Sequence, residues 1–152
     1  MNKQFFIFTD GSVIGNPGPA GWAAIMIQGA KRREIAGSVR WSTVSKMELR
    51  AAVEALRLTP SGSRIELRSD SKLLIDGMRF RVFRWRCLGW RNSRGFELQH
   101  QELWRALLLL NANRTIRWIW VKGHSGHPIQ SRTDALAYEA ARAAAVQERA
   151  AA

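Results

Sequence analysis

The order of strand-like and helix-like segments constrains the fold of this chain more than any other feature of its sequence. Short runs of β-type residues predict five strands, at residues 4–9, 21–28, 34–41, 64–68 and 115–121. Helical periodicity predicts helices at residues 42–58, 72–90 (one or two short ones), 97–110 and 128 to about 148. Strands joined through a helix can lie parallel with a right-handed crossover. We therefore predict an α/β fold in which helices flank a mixed five-stranded sheet that begins as an antiparallel meander.

The length and composition of the chain fit one globular domain. Its 152 residues are 46% hydrophobic and 24% charged, a balance typical of a folded protein. We predict a single domain over residues 1–152, with about 140–152 as a candidate frayed tail. No apolar run approaches the ~20 residues that span a bilayer, and residues 1–10 lack a signal-peptide pattern. The single cysteine, Cys87, fits a reducing compartment, so we expect a cytoplasmic protein with no membrane partner.

The charge of the chain is strongly unbalanced. Lysine and arginine number 24 against 12 aspartates and glutamates, which gives a formal net charge of +12. Such a surplus in a small domain favours a polyanionic partner, most often nucleic acid. A basic solubility shell and affinity for an anionic membrane are the alternatives, and charge alone favours nucleic acid over both.

Four acidic residues occupy positions typical of a ligand site. Asp10 and Asp70 come at the ends of the first and fourth predicted strands, where the sites of α/β sheets open. Glu48 lies near the start of the first predicted helix and Asp134 near the start of the last. Clustered carboxylates repel each other unless a cation neutralises them, and their hard oxygens suit Mg²⁺ or Mn²⁺. Spacing alone does not show that all four converge.

Each of these acids also has an ordinary structural interpretation, which taken singly is at least as probable as a metal ligand. Asp10 beside Gly11 suits a turn, and Asp70 suits a helix N-cap. The other two acids lie three residues after a serine, which is the spacing of a capping box. These pairs are Ser45 with Glu48 and Ser131 with Asp134.

Six short motifs occur in order along nearly the whole chain. They are residues 7–12 (IFTDGS), 15–19 (GNPGP), 46–49 (KMEL), 69–71 (SDS), 89–90 (GW) and 120–128 (WVKGHSGHP). Together they resemble type 1 ribonuclease H, the bacterial ribonuclease HI family, and Asp134 follows the last motif at the spacing that the family uses. Any one motif is a weak signal, whereas the full series with an acid at every key position is a strong one.

The resemblance implies a ribonuclease H-like fold and hydrolysis of the RNA strand of RNA–DNA hybrids, leaving 3′-hydroxyl and 5′-phosphate ends. It also implies two divalent ions, Mg²⁺ with Mn²⁺ as a substitute. By position, their ligands are Asp10, Glu48, Asp70 and Asp134. His124 matches the family's loop histidine, and the resemblance implies that it relays a proton or assists product release. We expect the protein to act as a monomer.

Residues 79–94, the basic segment, contain six arginines and no acid. Arginine pairs with phosphates through its planar fork, and interleaved aromatic rings can pack against sugars or bases. The resemblance assigns this segment to the protrusion that grips the DNA strand, whereas Trp85 and Trp90 are better interpreted as core anchors. The expected substrate-binding residues are Asn16, Thr43, Lys72, Arg79, Arg81, Arg84 and Arg86.

Five positions depart from the family pattern. Val44 and Ser45 stand where the family usually has two asparagines, and Lys72 stands where a glutamine is common. Arg81 replaces an aromatic residue, and Gln130 replaces an asparagine. Because these changes remove neutral, directional hydrogen bonds and add charge, we expect looser discrimination among nucleic acids with the metal site intact.

Two other functions compete with this interpretation. The first is another nuclease or a strand-transfer enzyme on the same fold, against which the full-length match and the His124 loop argue. The second is a non-catalytic nucleic-acid-binding module, which would keep the arginines but has no need for four acids.

Overall fold

A five-stranded mixed sheet forms the centre of the computed structural model, which describes residues 3–123 and 126–151. The strands are β1 (Gln4–Val13), β2 (Gly18–Gln28), β3 (Lys31–Ser42), β4 (Arg64–Ser69) and β5 (Thr115–Trp120). Their order across the sheet is β3-β2-β1-β4-β5. β2 lies antiparallel to β1 and β3, whereas β4 runs parallel to β1 and β5. The predicted fold class and the antiparallel meander are confirmed.

Helices connect the parallel strands and cover both faces of the sheet. They are α1 (Val44–Arg57), α2 (Lys72–Asp76), α3 (Val82–Cys87), α4 (Gln101–Ala112) and α5 (Pro128–Ala151), with a π-helical turn (Gly77–Arg81) between α2 and α3. α1 packs on β1, β2 and α4, whereas α5 packs on the first three strands. Pro128 begins α5 as predicted, because its fixed φ suits the first helical turn. No helix in the described part of the chain is long and apolar enough to cross a membrane.

Two glycines let α1 and α5 approach opposite faces of the sheet. A β-carbon at Gly11 would lie 2.7 Å from the backbone nitrogen of Glu48 on α1. One at Gly21 would lie 2.4 Å from the carbonyl oxygen of Ala137 on α5. Gly21 pairs with the residue that follows Gly11, and successive residues of a strand face opposite sides. The two helices therefore flank the end of β1 that carries Asp10.

The main hydrophobic core lies between the sheet and the helices on its α1 face. Trp104 of α4 is wholly enclosed there with Ile7, Leu67 and Leu49. The Trp85 ring packs at 4.8 Å from the Trp104 ring, measured between centroids. Trp90 is also buried in this core, so the expected role of both tryptophans as anchors is confirmed, and the basic segment is joined to the α1 face.

Several element boundaries differ by one to four residues from the sequence prediction, and the two at β1 and α4 have clear causes. β1 continues to Val13 because its antiparallel pairing with β2 extends beyond the point where its parallel pairing with β4 ends, at Phe8. Asp10 therefore lies inside a strand and not in a turn. α4 begins at Gln101 and not at residue 97, because His100 before it adopts a left-handed backbone with φ 60°.

Candidate active site

The four predicted carboxylates line one pocket of about 150 Å³ at the end of the sheet. Asp10 comes from β1, Asp70 follows β4, Glu48 comes from the first half of α1, and Asp134 comes from the first half of α5. Convergence, which spacing alone left open, is therefore observed. The pocket is lined by Asp10, Gly11, Val44, Glu48, Asp70, Gln130, Ser131 and Asp134.

Asp10 is the most deeply placed of these acids, with only 6% of its surface exposed. Burial raises the pKa of Asp10 to about 9, helped by the charge of Asp70 and by a hydrogen bond with Asp134, against the lowering effect of the Gly11 backbone N–H. That N–H donates to Asp10 Oδ1 at 2.9 Å. A carboxyl in these surroundings holds a proton unless a cation replaces it.

Glu48 lies in the same pocket, and its pKa is raised less than that of Asp10. Burial raises the pKa of Glu48 to about 7, a hydrogen bond from Ser71 lowers it, and the charge of Asp70 raises it. The Ser71 oxygen also accepts a hydrogen bond of 3.1 Å from the backbone of Leu74, so that it caps α2. Ser71 thus ties α2 to an acid on α1. No pattern in the sequence indicated this role.

The end of β5 and the loop after it lie against Asp70. The indole nitrogen of Trp120 donates to the Asp70 carbonyl oxygen at 3.1 Å. A β-carbon at Gly123 would lie 3.1 Å from Asp70 Oδ2, so only a glycine lets the backbone pass without displacing this carboxylate. Neither contact was predicted from the sequence, although the glycine inside the 120–128 motif was a usable signal.

The ordinary structural interpretations of these acids are wrong. The N-cap of α1 is Thr43 and that of α2 is Ser71, so neither Glu48 nor Asp70 has a capping role. Asp134 lies more than one turn inside α5, which begins at Pro128. The N-termini of α1 and α2 are capped by other residues, and all four acids line the pocket.

The oxygen ligands of the pocket fit divalent ions whose coordination is completed by substrate and water. Within the described residues, no three histidine, cysteine, aspartate or glutamate side chains form a group that could hold a metal ion unaided. Mg²⁺ usually keeps several waters and is bound by one or two carboxylates together with substrate phosphates. Four carboxylates around one small pocket match that pattern of hard, shared oxygen ligands.

The predicted substrate-binding residues surround this pocket or lie on the basic segment. Asn16 Oδ1 accepts a hydrogen bond of 3.2 Å from the backbone of Val44, which lines the pocket. Thr43 Oγ1 accepts one of 3.3 Å from the backbone of Lys46. The ammonium nitrogen of Lys72 lies 4.9 Å from the Trp120 ring centre. The exposed arginines of the basic segment include Arg79, Arg81, Arg84 and Arg86.

His124 lies outside the described residues. Its predicted role as the loop histidine therefore stays a prediction.

The family of this chain is shown by its similarity to known proteins. The RNase H family model matches residues 2–142. This chain belongs to the ribonuclease H family. Ribonuclease H of Novosphingobium aromaticivorans is 42% identical over 142 residues, which cover 93% of this chain and 99% of that protein. Ribonuclease HI of Caulobacter vibrioides is 40% identical over 144 residues, covering 95% and 97% respectively. The predicted type 1 ribonuclease H is thereby confirmed.

Solved structures of ribonucleases H have the same fold. LC9-RNase H1, a type 1 RNase H with the type 2 active-site motif, superposes with a TM-score of 0.84 at 26% identity, over 94% of this chain and 74% of that one. LC11-RNase H1, solved with an RNA/DNA hybrid, gives a TM-score of 0.68 at 21% identity, over 92% and 98%. The ribonuclease H-like fold is confirmed. This ribonuclease H is an endonuclease that cleaves the RNA strand of RNA–DNA hybrids, which argues against a non-catalytic binding module.

Proposed function

We propose that this ribonuclease H hydrolyses its substrate with two divalent ions, Mg²⁺ or Mn²⁺, held by Asp10, Glu48, Asp70 and Asp134. The convergence of these acids in one pocket carries the proposal. The electrostatics of the pocket support it, because burial and, after it, the neighbouring acids raise the pKa of Asp10 and so favour an added positive charge.

The residues around the pocket have distinct tasks in this mechanism. When bound, the ions lower the pKa of the attacking water and neutralise charge on the phosphate and the departing 3′-oxygen. Asp10 gives up its proton to become a ligand, while Ser71 orients Glu48. Trp120 anchors the backbone of Asp70, and Gly123 leaves room for its carboxylate. We assign His124 the task of relaying a proton or assisting product release.

The substrate surface extends from the pocket to the basic segment. RNA is distinguished from DNA by its 2′-hydroxyls in a wide, shallow minor groove. The basic segment is joined to the α1 face of the sheet, and its exposed arginines suit the phosphates of the DNA strand. The complex of LC11-RNase H1 with an RNA/DNA hybrid supports this class of substrate. We assign hybrid contacts to Asn16, Thr43, Lys72, Arg79, Arg81, Arg84 and Arg86.

The setting of the enzyme follows from the same proposal. Cys87 is an exposed free thiol, which fits a reducing compartment, and we place the enzyme in the cytoplasm. We also propose that residues 1–152 act as one domain and as a monomer.

A matched panel of duplexes tests the proposed function. RNA–DNA hybrid, double-stranded RNA and double-stranded DNA of one sequence are incubated with the enzyme, with Mg²⁺ or with EDTA. We expect cleavage of the RNA strand of the hybrid in Mg²⁺ only, with 5′-phosphate ends on the products. Hybrid cleavage that persists in EDTA contradicts the metal mechanism, and preferential cleavage of another duplex contradicts the substrate.

A further inference from the structure

A second cavity, of about 280 Å³, lies beside the acidic pocket and shares Gln130 with it. Three of its residues have basic side chains, and none of the described residues that line it is acidic. The lining residues are Phe8, Arg68, Val121, Lys122, His127 and Gln130. The proposed mechanism uses none of the three basic side chains.

The basic groups are positioned by a buried aromatic ring. Phe8 is only 5% exposed, and its ring stacks on His127 with 5.2 Å between centroids. The guanidinium carbon of Arg68 lies 5.9 Å from the centre of the same ring. Because Phe8 is fixed in the fold, it holds Arg68 and His127 in one place rather than leaving them to move on the surface.

Two buried polar atoms at this cavity lack partners among the described residues. They are Nε of Arg68, a donor, and Oε1 of Gln130, an acceptor. Gln130 is 94% buried, being 6% exposed. Buried polar groups are normally hydrogen-bonded, so this pair suits a ligand that offers both an acceptor and a donor. A ribonucleotide offers a phosphate oxygen to Arg68 and a hydroxyl to Gln130.

The charge of Arg68 is only weakly neutralised by its neighbour. Glu66 lies 3.5 Å from the Arg68 guanidinium but 2.9 Å from that of Arg117. Lys122 adds a second cation to the cavity. The cavity also lies at the N-terminus of α5, a helix that begins at the residue after His127. The helix dipole favours an anion there.

The position of the cavity lets it contact a nucleic-acid strand that is bound in the acidic pocket. Phe8 and Arg68 are register partners on β1 and β4, and Phe8 lies on the same side of β1 as Asp10, the side that faces α5. The basic segment lies on the opposite face, with α1 and α4. The acidic pocket therefore lies between two basic surfaces, one on each face of the sheet.

We propose that this cavity is a phosphate subsite in which Arg68, Lys122 and the start of α5 bind a backbone phosphate of the RNA strand, next to the phosphate that is cleaved. The inference rests on the proposed function, because it takes the strand in the acidic pocket to be the RNA of the hybrid. Binding outside the acidic pocket predicts an effect on substrate affinity and not on the chemical step.

Arg68→Gln tests the subsite, with Arg117→Gln as the matched control. Both arginines contact Glu66 and carry the same charge, but Arg117 does not line the cavity. We expect Arg68→Gln to raise KM for the hybrid about 5–10-fold and to lower the slope of log KM against log salt by about 1, with kcat within about 2-fold. Arg117→Gln should leave both unchanged, and Arg68→Lys, which keeps the charge, should restore the slope.

The possible outcomes separate the subsite from the proposed function. If the unmodified enzyme cleaves hybrid but Arg68→Gln and Arg117→Gln have the same KM and slope, the subsite is wrong and the function stands. If Arg68→Gln loses only inhibition by inorganic phosphate, the cavity takes the free ion and the strand assignment is overturned. If the unmodified enzyme does not cleave, the function fails, and hybrid binding by fluorescence anisotropy with the same variants still decides the subsite. Arg68→Lys supplies the comparison if Arg68→Gln does not fold.

Discussion

At the scale of single residues, the main tension in this molecule is the burial of Asp10 beside other acids. Asp10 is only 6% exposed, and this burial, helped by the neighbouring Asp70 and Asp134, raises its pKa to about 9. Such a group disfavours its own ionised form at neutral pH. A pocket built in this way is an unfavourable arrangement for the folded protein alone, and a favourable one for binding divalent cations.

The pH dependence of stability follows from the Asp10 pKa. A carboxyl whose pKa is raised on folding stabilises the folded state when protonated. That contribution is complete below the unfolded pKa of about 4 and is lost as pH rises to the folded value of about 9. In EDTA, Asp10→Asn should remove this loss and exceed the unmodified protein in stability by about 1–3 kcal/mol at pH 8. Urea denaturation at pH 5 and pH 8 measures both quantities.

Asp76→Asn is the control for this experiment, since Asp76 ends α2 and does not line the pocket. It should follow the pH dependence of the unmodified protein. Parallel stability curves for Asp10→Asn and Asp76→Asn would contradict the electrostatic account of the pocket.

Gly123 provides a residue-scale prediction about positioning. Its β-carbon in Gly123→Ala would lie 3.1 Å from Asp70 Oδ2, so the carboxylate must move by a few tenths of an ångström. We expect kcat to fall about 10-fold, because small displacements of a catalytic group are costly, while hybrid affinity stays within about 2-fold. Steady-state kinetics and anisotropy together check this, and an unchanged kcat would show that Asp70 needs no such clearance.

Sequence patterns located the carboxylates but not the residues that hold them. Asp10, Glu48, Asp70 and Asp134 stand in recognisable motifs, whereas their convergence depends on the packing of distant segments. Trp120 reaches Asp70 across 50 residues of chain, and nothing local in the alternating β5 pattern indicates that contact. Gln130 stood out in the sequence only as a departure from a family pattern, although it lines both cavities.

At the scale of elements, the site depends on how closely α1 and α5 approach the sheet. Gly21→Ala would place a β-carbon 2.4 Å from the Ala137 carbonyl oxygen and 2.5 Å from the Ala141 nitrogen. Because both contacts are with backbone, α5 must shift and carry Asp134 with it. We expect a loss of about 1–3 kcal/mol in the free energy of unfolding and a lower kcat.

Urea denaturation and kinetics on the same Gly21→Ala sample test this prediction. Ala24→Gly in the same strand removes a β-carbon instead of adding one. Ala24→Gly should lower the free energy of unfolding through lost packing. For the same loss of stability, it should lower kcat less than Gly21→Ala does. Full stability and activity in Gly21→Ala would mean that α5 tolerates the added β-carbon.

The strands and helices were predictable to the extent that their signals are local. The alternating pattern of β5 predicted that strand, and the proline at the start of α5 predicted where that helix begins. The end of β1 was missed because residues 10–13 are held by pairing with β2, a contact that no local pattern shows. The start of α4 was missed because His100 interrupts the helical backbone with a positive φ, which composition does not predict.

At the scale of the whole molecule, the net charge of +12 gives affinity for any polyanion, so selectivity must come from neutral contacts near the pocket. Val44, Ser45 and Lys72 stand where the family pattern has directional amides. The triple variant Val44→Asn/Ser45→Asn/Lys72→Gln should raise the ratio of kcat/KM for hybrid over double-stranded RNA, by about 10-fold for one or two regained hydrogen bonds.

The matched control is Arg32→Gln/Arg33→Gln, which removes positive charge from β3, away from the acidic pocket. This variant should weaken binding of the hybrid and of double-stranded RNA equally and leave the selectivity ratio unchanged. An unchanged ratio in the triple variant would contradict the link between the departures and looser discrimination.

The most direct test of the central claim is single-turnover cleavage of a pre-bound RNA–DNA hybrid by the unmodified enzyme and by Asp10→Asn, with Mg²⁺ added to start the reaction. The four-carboxylate site predicts rapid cleavage by the unmodified enzyme and a rate at least about 100-fold lower for Asp10→Asn, with hybrid affinity nearly equal. Comparable cleavage by the two proteins would contradict the assignment of this pocket as the metal-dependent active site.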